Sequence, residues 1–189
     1  EGIFLDANEN PYGKLNRYPD PYQKELKARI SEIKAIPEEN IFLGNGSDEI
    51  IDLCFRIFCN PGKDRALTFH PTYGMYEVSA SINDVELIRV PLTDDFRIDM
   101  GKTLPFLDDE SLKLIFICSP NNPTGNSMNP EEVHGILEKF RGIVVIDEAY
   151  IDFSDQPSYK MLTSVHQNLI VMQTFSKAYG MASVRVGMA

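Results

Sequence analysis

LIFICSPNNPTGNSMNPEEVHGILEKFRGIVVIDEAY, residues 114–150, decides the fold. It opens on a continuous apolar run, Leu114-Ile115-Phe116-Ile117-Cys118, and ends near a second, Ile143-Val144-Val145-Ile146. Short runs that are apolar at every position suit strands buried on both faces. Between them, Asn129-Pro130-Glu131-Glu132 is a helix start, with an Asn cap, Pro in the first turn and Glu three residues on. Val133, Ile136, Leu137 and Phe140 then supply one buried face.

The pattern extends in both directions. Ala66 to Phe69, Val85 to Val90 and Leu169 to Met172 read as strands, and Ile41-Phe42-Leu43 as a short one. Asp48 to Cys59 reads as a helix buried on most sides, and Tyr73 to Ser81 as another. Upstream, Tyr22, Leu26, Ile30 and Ile33 recur at helical spacing between Pro21 and Pro37. Glu1 to Pro21 is rich in Asn, Pro, Tyr and Asp, lacks a helical period and reads as an extended arm. Apolar strands separated by amphipathic helices predict an α/β domain with a mostly parallel sheet covered on both faces. In such sheets ligands sit at the carboxyl ends of the strands, so the residues just after each strand are the site candidates.

Composition narrows the function classes. The 189 residues are 43% hydrophobic and 24% charged, an ordinary globular balance. Eighteen basic against 28 acidic side chains give a net charge of -10, a poor match for nucleic acid or an anionic membrane. The longest apolar runs are far short of the ~20 residues that span a bilayer. No secretory leader pattern opens the sequence, and its first residue, Glu1, suggests a trimmed start. Cys54, Cys59 and Cys118 stand in apolar surroundings without C-x-x-C spacing, and His70, His134 and His166 are scattered. They read as buried thiols in a reducing, cytoplasmic compartment, with no metal site and no Cys nucleophile.

The strand ends carry the chemistry. Gly44-Asn45-Gly46-Ser47-Asp48-Glu49 is either a phosphate cup at a helix N-terminus or a plain turn and cap. Tyr73, after His70-Pro71-Thr72, either covers the face of a planar ring or belongs to the core rim. Ser119-Pro120-Asn121-Asn122-Pro123-Thr124-Gly125 either holds an amide toward an anionic oxygen or is simply a turn. Asp147-Glu148-Ala149-Tyr150 follows four apolar residues as a Walker B element would, but no G-x-x-x-x-G-K-[ST] precedes it, which sets ATP hydrolysis aside. The carboxylate at that strand terminus is half buried and needs a cationic partner. Thr174-Phe175-Ser176-Lys177 places an amine between small hydroxyl residues. Desolvation would lower its pKa and make it nucleophilic, although a solvated surface lysine fits the sequence too. Arg185, Thr174 and Ser176 are natural phosphate ligands.

Together these groups match what pyridoxal 5'-phosphate needs: partners for a phosphate, a π-face, a phenolate oxygen, a ring nitrogen and an aldehyde. The sequence resembles the fold-type I aminotransferases from about Leu5 to Ala189. Its marks are Asn8-Glu9-Asn10-Pro11-Tyr12-Gly13, Arg17-Tyr18-Pro19-Asp20, Gly46-Ser47-Asp48-Glu49, Asn121-Asn122-Pro123-Thr124-Gly125, Asp147-Glu148-Ala149-Tyr150, and Ser176-Lys177 with Arg185 eight residues on. Within that family it is most similar to the members that act on histidinol phosphate.

The resemblance implies a three-layer α/β/α large domain over residues 21–189, with residues 1–20 as an arm contacting substrate and a second subunit. It implies Lys177, Asp147 and Tyr150 as catalytic residues: Lys177 binds the cofactor, Asp147 pairs with the ring nitrogen, and Tyr150 and Asn122 hold the phenolate oxygen. Tyr73 would stack on the ring, with Gly46, Ser47, Asp48, Thr174, Ser176 and Arg185 around the phosphate and Tyr18 reaching it from the other subunit of a homodimer. Asn10, Tyr12 and Asn122 would meet substrate, here histidinol phosphate, with glutamate and 2-oxoglutarate as the exchanging pair. Gly180-Met181-Ala182-Ser183 departs from the family's usual Gly-Leu-Ala-Gly. Relatives continue into a small domain whose Arg grips the substrate carboxylate. That Arg is absent from these 189 residues, so the stretch alone is expected to be inactive. A phosphothreonine decarboxylase, a carbon–sulfur lyase or an aromatic aminotransferase would use much the same cup. A cofactor-binding regulator is the non-enzymatic alternative.

Overall fold

The computed structural model describes residues 7–189; residues 1–6 of the expected arm lie outside the described part. By contacts the chain divides into two units, Glu1–Glu39 and Asn40–Ala189. In the first, Glu9 organises the arm: its carboxylate accepts from the Arg17 guanidinium at 2.6 Å and the Tyr18 backbone N–H at 2.7 Å. These bonds hold it below the usual carboxylate range, the Arg17 bond most of all. Helix α1, Lys24–Lys34, forms where the spacing predicts and ends in a left-handed Ala35. Of the expected apolar stripe Tyr22, Leu26, Ile30 and Ile33, Ile30 alone is buried. Tyr22 precedes the helix, and Leu26 and Ile33 stay largely exposed.

The second unit is built on seven strands: β1 (Leu43–Asn45), β2 (Arg65–His70), β3 (Glu86–Pro91), β4 (Leu112–Cys118), β5 (Ile143–Asp147), β6 (Leu169–Thr174) and β7 (Val186–Met188). Their order is β1-β7-β6-β5-β4-β2-β3. From β3 to β6 every pairing is parallel, whereas β7 is antiparallel to both β6 and β1. The strand expected at 41–43 starts two residues later, although Phe42 and Ala189 extend its ladder by exchanging both backbone hydrogen bonds. Strand β7 was not legible, being three residues long with a central glycine.

Period-two alternation divides the core between the two sheet faces. Leu114, Phe116 and Cys118 of β4, Val145 of β5 and Met172 of β6 face α2 (Ser47–Phe58) and α3 (Met75–Ile82). Ile115, Ile117, Val144, Ile146 and Val171 face α5 (Pro130–Lys139) and the segment near Tyr159. The short α4, Met100–Thr103, precedes β4. The layers are helix, sheet, helix, as expected. Helix α2 corrects one detail: Ile50, Ile51, Cys54 and Phe55 are buried but Ile57 is exposed, so it is amphipathic rather than buried on most sides. At α5, Asn129 Oδ1 accepts from the Glu131 N–H at 2.8 Å. Glu132 does not close a capping box. It turns to Arg97, accepting from Nη2 at 2.6 Å. No helix among the described residues is long and apolar enough to cross a membrane.

Candidate active site

Parity decides which side chains meet at the carboxyl edge. Asp147 shares the face of Val145, and Thr174 that of Met172, so both lie on the α2/α3 side. There one cavity is lined by Ser47, Asp48, Tyr73, Cys118, Asn122, Asp147, Ala149, Tyr150, Thr174, Ser176, Lys177 and Arg185. Ten of the residues singled out in the sequence are thus brought together. A second cavity adjoins it and shares Asn122 and Tyr150. Asn10, Tyr12 and Tyr18 belong to the first unit and are exposed there.

At one end lies the start of α2. Its cap is Gly46, with φ 81° and ψ 172°, so no side chain covers the first-turn N–H groups of Ser47 and Asp48. Glu49 reaches back instead and accepts from the Asn45 N–H at 2.6 Å. The uncapped turn and the helix dipole favour an anion. Arg185 stands over it: a Cβ at Gly46 would lie 2.9 Å from the Arg185 Cζ. Arg185 itself adopts a left-handed backbone and sits 3.9 Å from the Asp48 carboxylate. Thr174 Oγ1 accepts from the Ser176 N–H at 3.1 Å, which ties the β6 exit to the same end.

The centre holds Asp147, fully buried at the end of β5. Its Oδ2 accepts from the Tyr76 hydroxyl at 2.7 Å and its Oδ1 from the Ala149 N–H at 3.0 Å. Burial pushes its carboxyl up, and these two hydrogen bonds pull the other way. Among the described residues no Lys, Arg or His makes an ion pair with it, so a cationic partner of the kind the sequence calls for would come from a ligand. Tyr73 is tilted at 86° to Tyr76 and donates to Asp48 Oδ1 at 2.9 Å. Burial, then Asp48, drives its phenol pKa upward.

The residue pattern of the β4 loop does not divide its two asparagines, although the resemblance chose Asn122, and the structure separates them. Asn121 is consumed by the loop: its Nδ2 donates to Pro71 O at 2.9 Å and Thr124 Oγ1 at 2.7 Å, and its Oδ1 accepts from Thr72. Asn122 is the one that lines the cavity. Lys177 lies with its Nζ 5.4 Å from the centre of the Tyr150 ring. It is exposed, so of the two readings the sequence allowed the solvated amine is the one found, and residues 177–185 are exposed with it.

Two neighbours escaped the sequence reading. Tyr76 sits at helical spacing and looks like core. Cys118 pairs in register with Asp147 and reaches the cavity wall. Burial first, then the neighbouring Asp147, raises its thiol to about 12, which leaves it unreactive at neutral pH. Glu148, by contrast, points to the α5 face and accepts from Ser158 Oγ, the Tyr159 N–H and Gln173 Nε2. No three His, Cys, Asp or Glu among the described residues are placed to hold a metal.

The chain matches the family model described as Aminotransferase class I and II over residues 5–189. A histidinol-phosphate aminotransferase of Cytophaga hutchinsonii is 56% identical over 194 aligned residues, covering 100% of this chain and 56% of that protein. The chain thus spans little more than half the length of the curated relatives it matches. The crystal structure of the histidinol-phosphate aminotransferase from Clostridium acetobutylicum aligns with a TM-score of 0.82 at 29% identity, covering 92% of this chain and 52% of its own. That of the Sinorhizobium meliloti enzyme, in complex with pyridoxal-5'-phosphate, aligns with a TM-score of 0.82 at 27% identity, covering 91% and 47%.

Proposed function

The chain belongs to the class I and II aminotransferases, and from that premise we propose that it is the cofactor-binding part of a pyridoxal 5'-phosphate-dependent transaminase that exchanges the amino group of histidinol phosphate with 2-oxoglutarate. The observation that carries the reading is one cavity bearing a buried carboxylate that makes no ion pair among the described residues, an amine and an uncapped helix N-terminus beside an arginine. That donor set fits the cofactor. Ser47 and Asp48 N–H groups, Thr174, Ser176 and Arg185 would bind its phosphate, with Gly46 leaving room for the guanidinium. Asp147 would hold a proton on the ring nitrogen. Tyr150 and Asn122 would bind the phenolate oxygen, and Tyr73 would cover one ring face.

When bound, the cofactor supplies an electron sink for cleavage of the substrate's Cα–H bond. Asp147 keeps that sink charged. Lys177 Nζ would hold the cofactor and, when free, would act as the base that moves the proton lost from Cα. Asn10 and Tyr12, with Asn122, would contact the substrate. Tyr18 of a second copy would reach the phosphate, making a homodimer part of the site. Residues 1–20 would serve as the arm and 21–189 as the large domain, in a cytoplasmic enzyme of histidine biosynthesis.

The test is reduction of the cofactor-loaded full-length protein with borohydride, followed by peptide mass spectrometry. The pyridoxyl adduct is expected on Lys177. An adduct on Lys139 or Lys160, with Lys177 unmodified, would end the reading. Product analysis, with histidinol phosphate and 2-oxoglutarate in one arm and phosphothreonine or a cysteine thioether in others, then separates transamination from decarboxylation or carbon–sulfur cleavage.

A further inference from the structure

We propose that Tyr76 is the positioning residue of this site: its hydroxyl fixes the Asp147 carboxylate and its ring aligns Tyr73. The proposal rests on the reading above, in which Asp147 meets the ring nitrogen of the cofactor.

Two independent contacts carry it. The first is the bond from the Tyr76 hydroxyl to Asp147 Oδ2, 2.7 Å long and buried at both ends. A buried phenol needs one acceptor, which a backbone carbonyl supplies at little cost. A buried carboxylate costs far more than a hydroxyl to desolvate. Asp147 is therefore not there to satisfy Tyr76; the dependence runs the other way. Besides the Ala149 N–H, this hydroxyl is the donor that favours the ionised form of Asp147 against burial and fixes its direction. The second contact is the ring. Tyr76 stacks on Phe116 with centroids 5.0 Å apart and planes at 20°, and Phe116 stacks on Phe55 at 5.2 Å. The column locks Tyr76 against the sheet, and Tyr73 meets Tyr76 edge-on at 5.8 Å.

The chemical consequence has a sign. A hydrogen bond to Asp147 makes its carboxylate less basic, so the shared proton stays on the ring nitrogen. Without the hydroxyl, the proton moves toward Asp147 and the ring loses positive charge. The Lys177 nitrogen bonded to the cofactor then becomes more basic.

Tyr76→Phe keeps the ring and removes the hydroxyl. In the cofactor-loaded full-length protein, the pH at which the visible absorption changes is expected to rise by about one unit. The kcat should fall on the order of tenfold, with KM nearly unchanged. Substituting 3-fluorotyrosine at position 76, a more acidic phenol and stronger donor, should move the spectral transition the opposite way. Phe116→Leu keeps the hydroxyl while loosening the packing beneath it, so it should lower thermal stability and move the transition less than Tyr76→Phe does. If Tyr76→Phe leaves the spectrum and kcat as in the parent while Asp147→Asn abolishes turnover, Tyr76 merely packs and the proposal falls alone. Equal spectral shifts in Phe116→Leu and Tyr76→Phe also refute it, since packing would then be the cause. If Tyr76→Phe does not fold, an unshifted spectrum in the fluorotyrosine protein overturns it. If Asp147→Asn changes neither spectrum nor turnover, the functional reading fails and takes this proposal with it.

Discussion

Glu148→Ala and Glu148→Gln, made separately, test how the Asp147–Glu148 pair is divided between the two faces of the sheet. Three donors end on Glu148: Ser158 Oγ at 2.6 Å and Gln173 Nε2 at 2.8 Å on Oε2, and the Tyr159 N–H at 2.6 Å on Oε1. Alanine strands the Tyr159 N–H and weakens the Gln173 amide, which keeps a 3.3 Å contact to Ser158 Oγ. At about 1–3 kcal/mol for each stranded donor, and with a small void added, the loss is about 3 kcal/mol. Glutamine behaves differently. Its carbonyl can accept from Tyr159, and its NH2 can donate to Gln173 Oε1, a buried acceptor without a partner, once that amide turns over. It also removes a buried charge. Glu148→Gln should therefore stay within about 1 kcal/mol of the parent at neutral pH.

The pH dependence follows from the same site. Burial, against the pull of its hydrogen bonds, raises the Glu148 carboxyl above its ordinary value. The folded protein then holds that proton more tightly than the unfolded chain does. Its contribution to stability is lowest at neutral pH, grows as pH falls through the folded pKa, and is complete below the unfolded value. Glutamine cannot titrate, so the parent should gain on Glu148→Gln as pH falls. Asp147 shifts in the same direction but cancels in the difference. Urea unfolding of the apoprotein at neutral and mildly acidic pH measures all of this. Parent-like stability with lost turnover in Glu148→Ala would place Glu148 on the cavity side and refute the division. So would a Glu148→Gln loss as large as that of alanine, which would show that the charge itself is needed.

Two further outcomes are expected. Asp147→Asn should retain cofactor but lose turnover by on the order of a hundredfold or more, because an amide cannot keep the ring nitrogen charged; parent-like steady-state rates would make Asp147 structural. Gly46→Ala forces a side chain into a backbone conformation that is almost exclusive to glycine, at about 1–3 kcal/mol, and drives its Cβ into the Arg185 guanidinium. Equilibrium dialysis should then show cofactor affinity reduced by on the order of tenfold, whereas unchanged affinity would remove Arg185 and Gly46 from the phosphate site.

Strands β4, β5 and β6 were legible because each holds at least four consecutive apolar residues, at 114–118, 143–146 and 169–172, with polar residues only toward the ends. The cavity residues were legible because strand ends in a parallel sheet share one edge. What the residue pattern alone left open, and the resemblance had to settle, was the choice between neighbours. Asp147 and Glu148 are equivalent as letters, yet alternation sends one to the cavity and the other to Ser158 and Gln173. Asn121 and Asn122 differ because one amide is spent on Pro71 and Thr124. Tyr76 was hidden for the opposite reason: an apolar ring at helical spacing reads as core, and it is core, except for one oxygen. The exposure of Lys177 could not be read from its small neighbours, since it depends on the path of the loop to Arg185.

The antiparallel edge explains why Arg185, picked out in the run that follows β6, comes to lie beside the turn that follows β1. Strand β1 lies two antiparallel steps from β6, so it runs in the same sense as the parallel strands and its carboxyl end, at Asn45, reaches the same edge. Reading forward from β1 therefore finds Gly46 and Ser47. Strand β7 runs the other way, and its amino end lies at that edge, so its site residue is the one before it, Arg185. The register Gly44↔Gly187 and Asn45↔Val186 then brings the two loops into contact. A Cβ on Gly187 would fall 2.6 Å from the Ser47 nitrogen, so the absence of a side chain there lets the helix N-terminus close onto the strand that follows Arg185. The pairing of two three-residue strands thus brings the uncapped turn of α2 and Arg185 together, and of the two strands only β1 had a counterpart in the sequence reading, at Ile41-Phe42-Leu43.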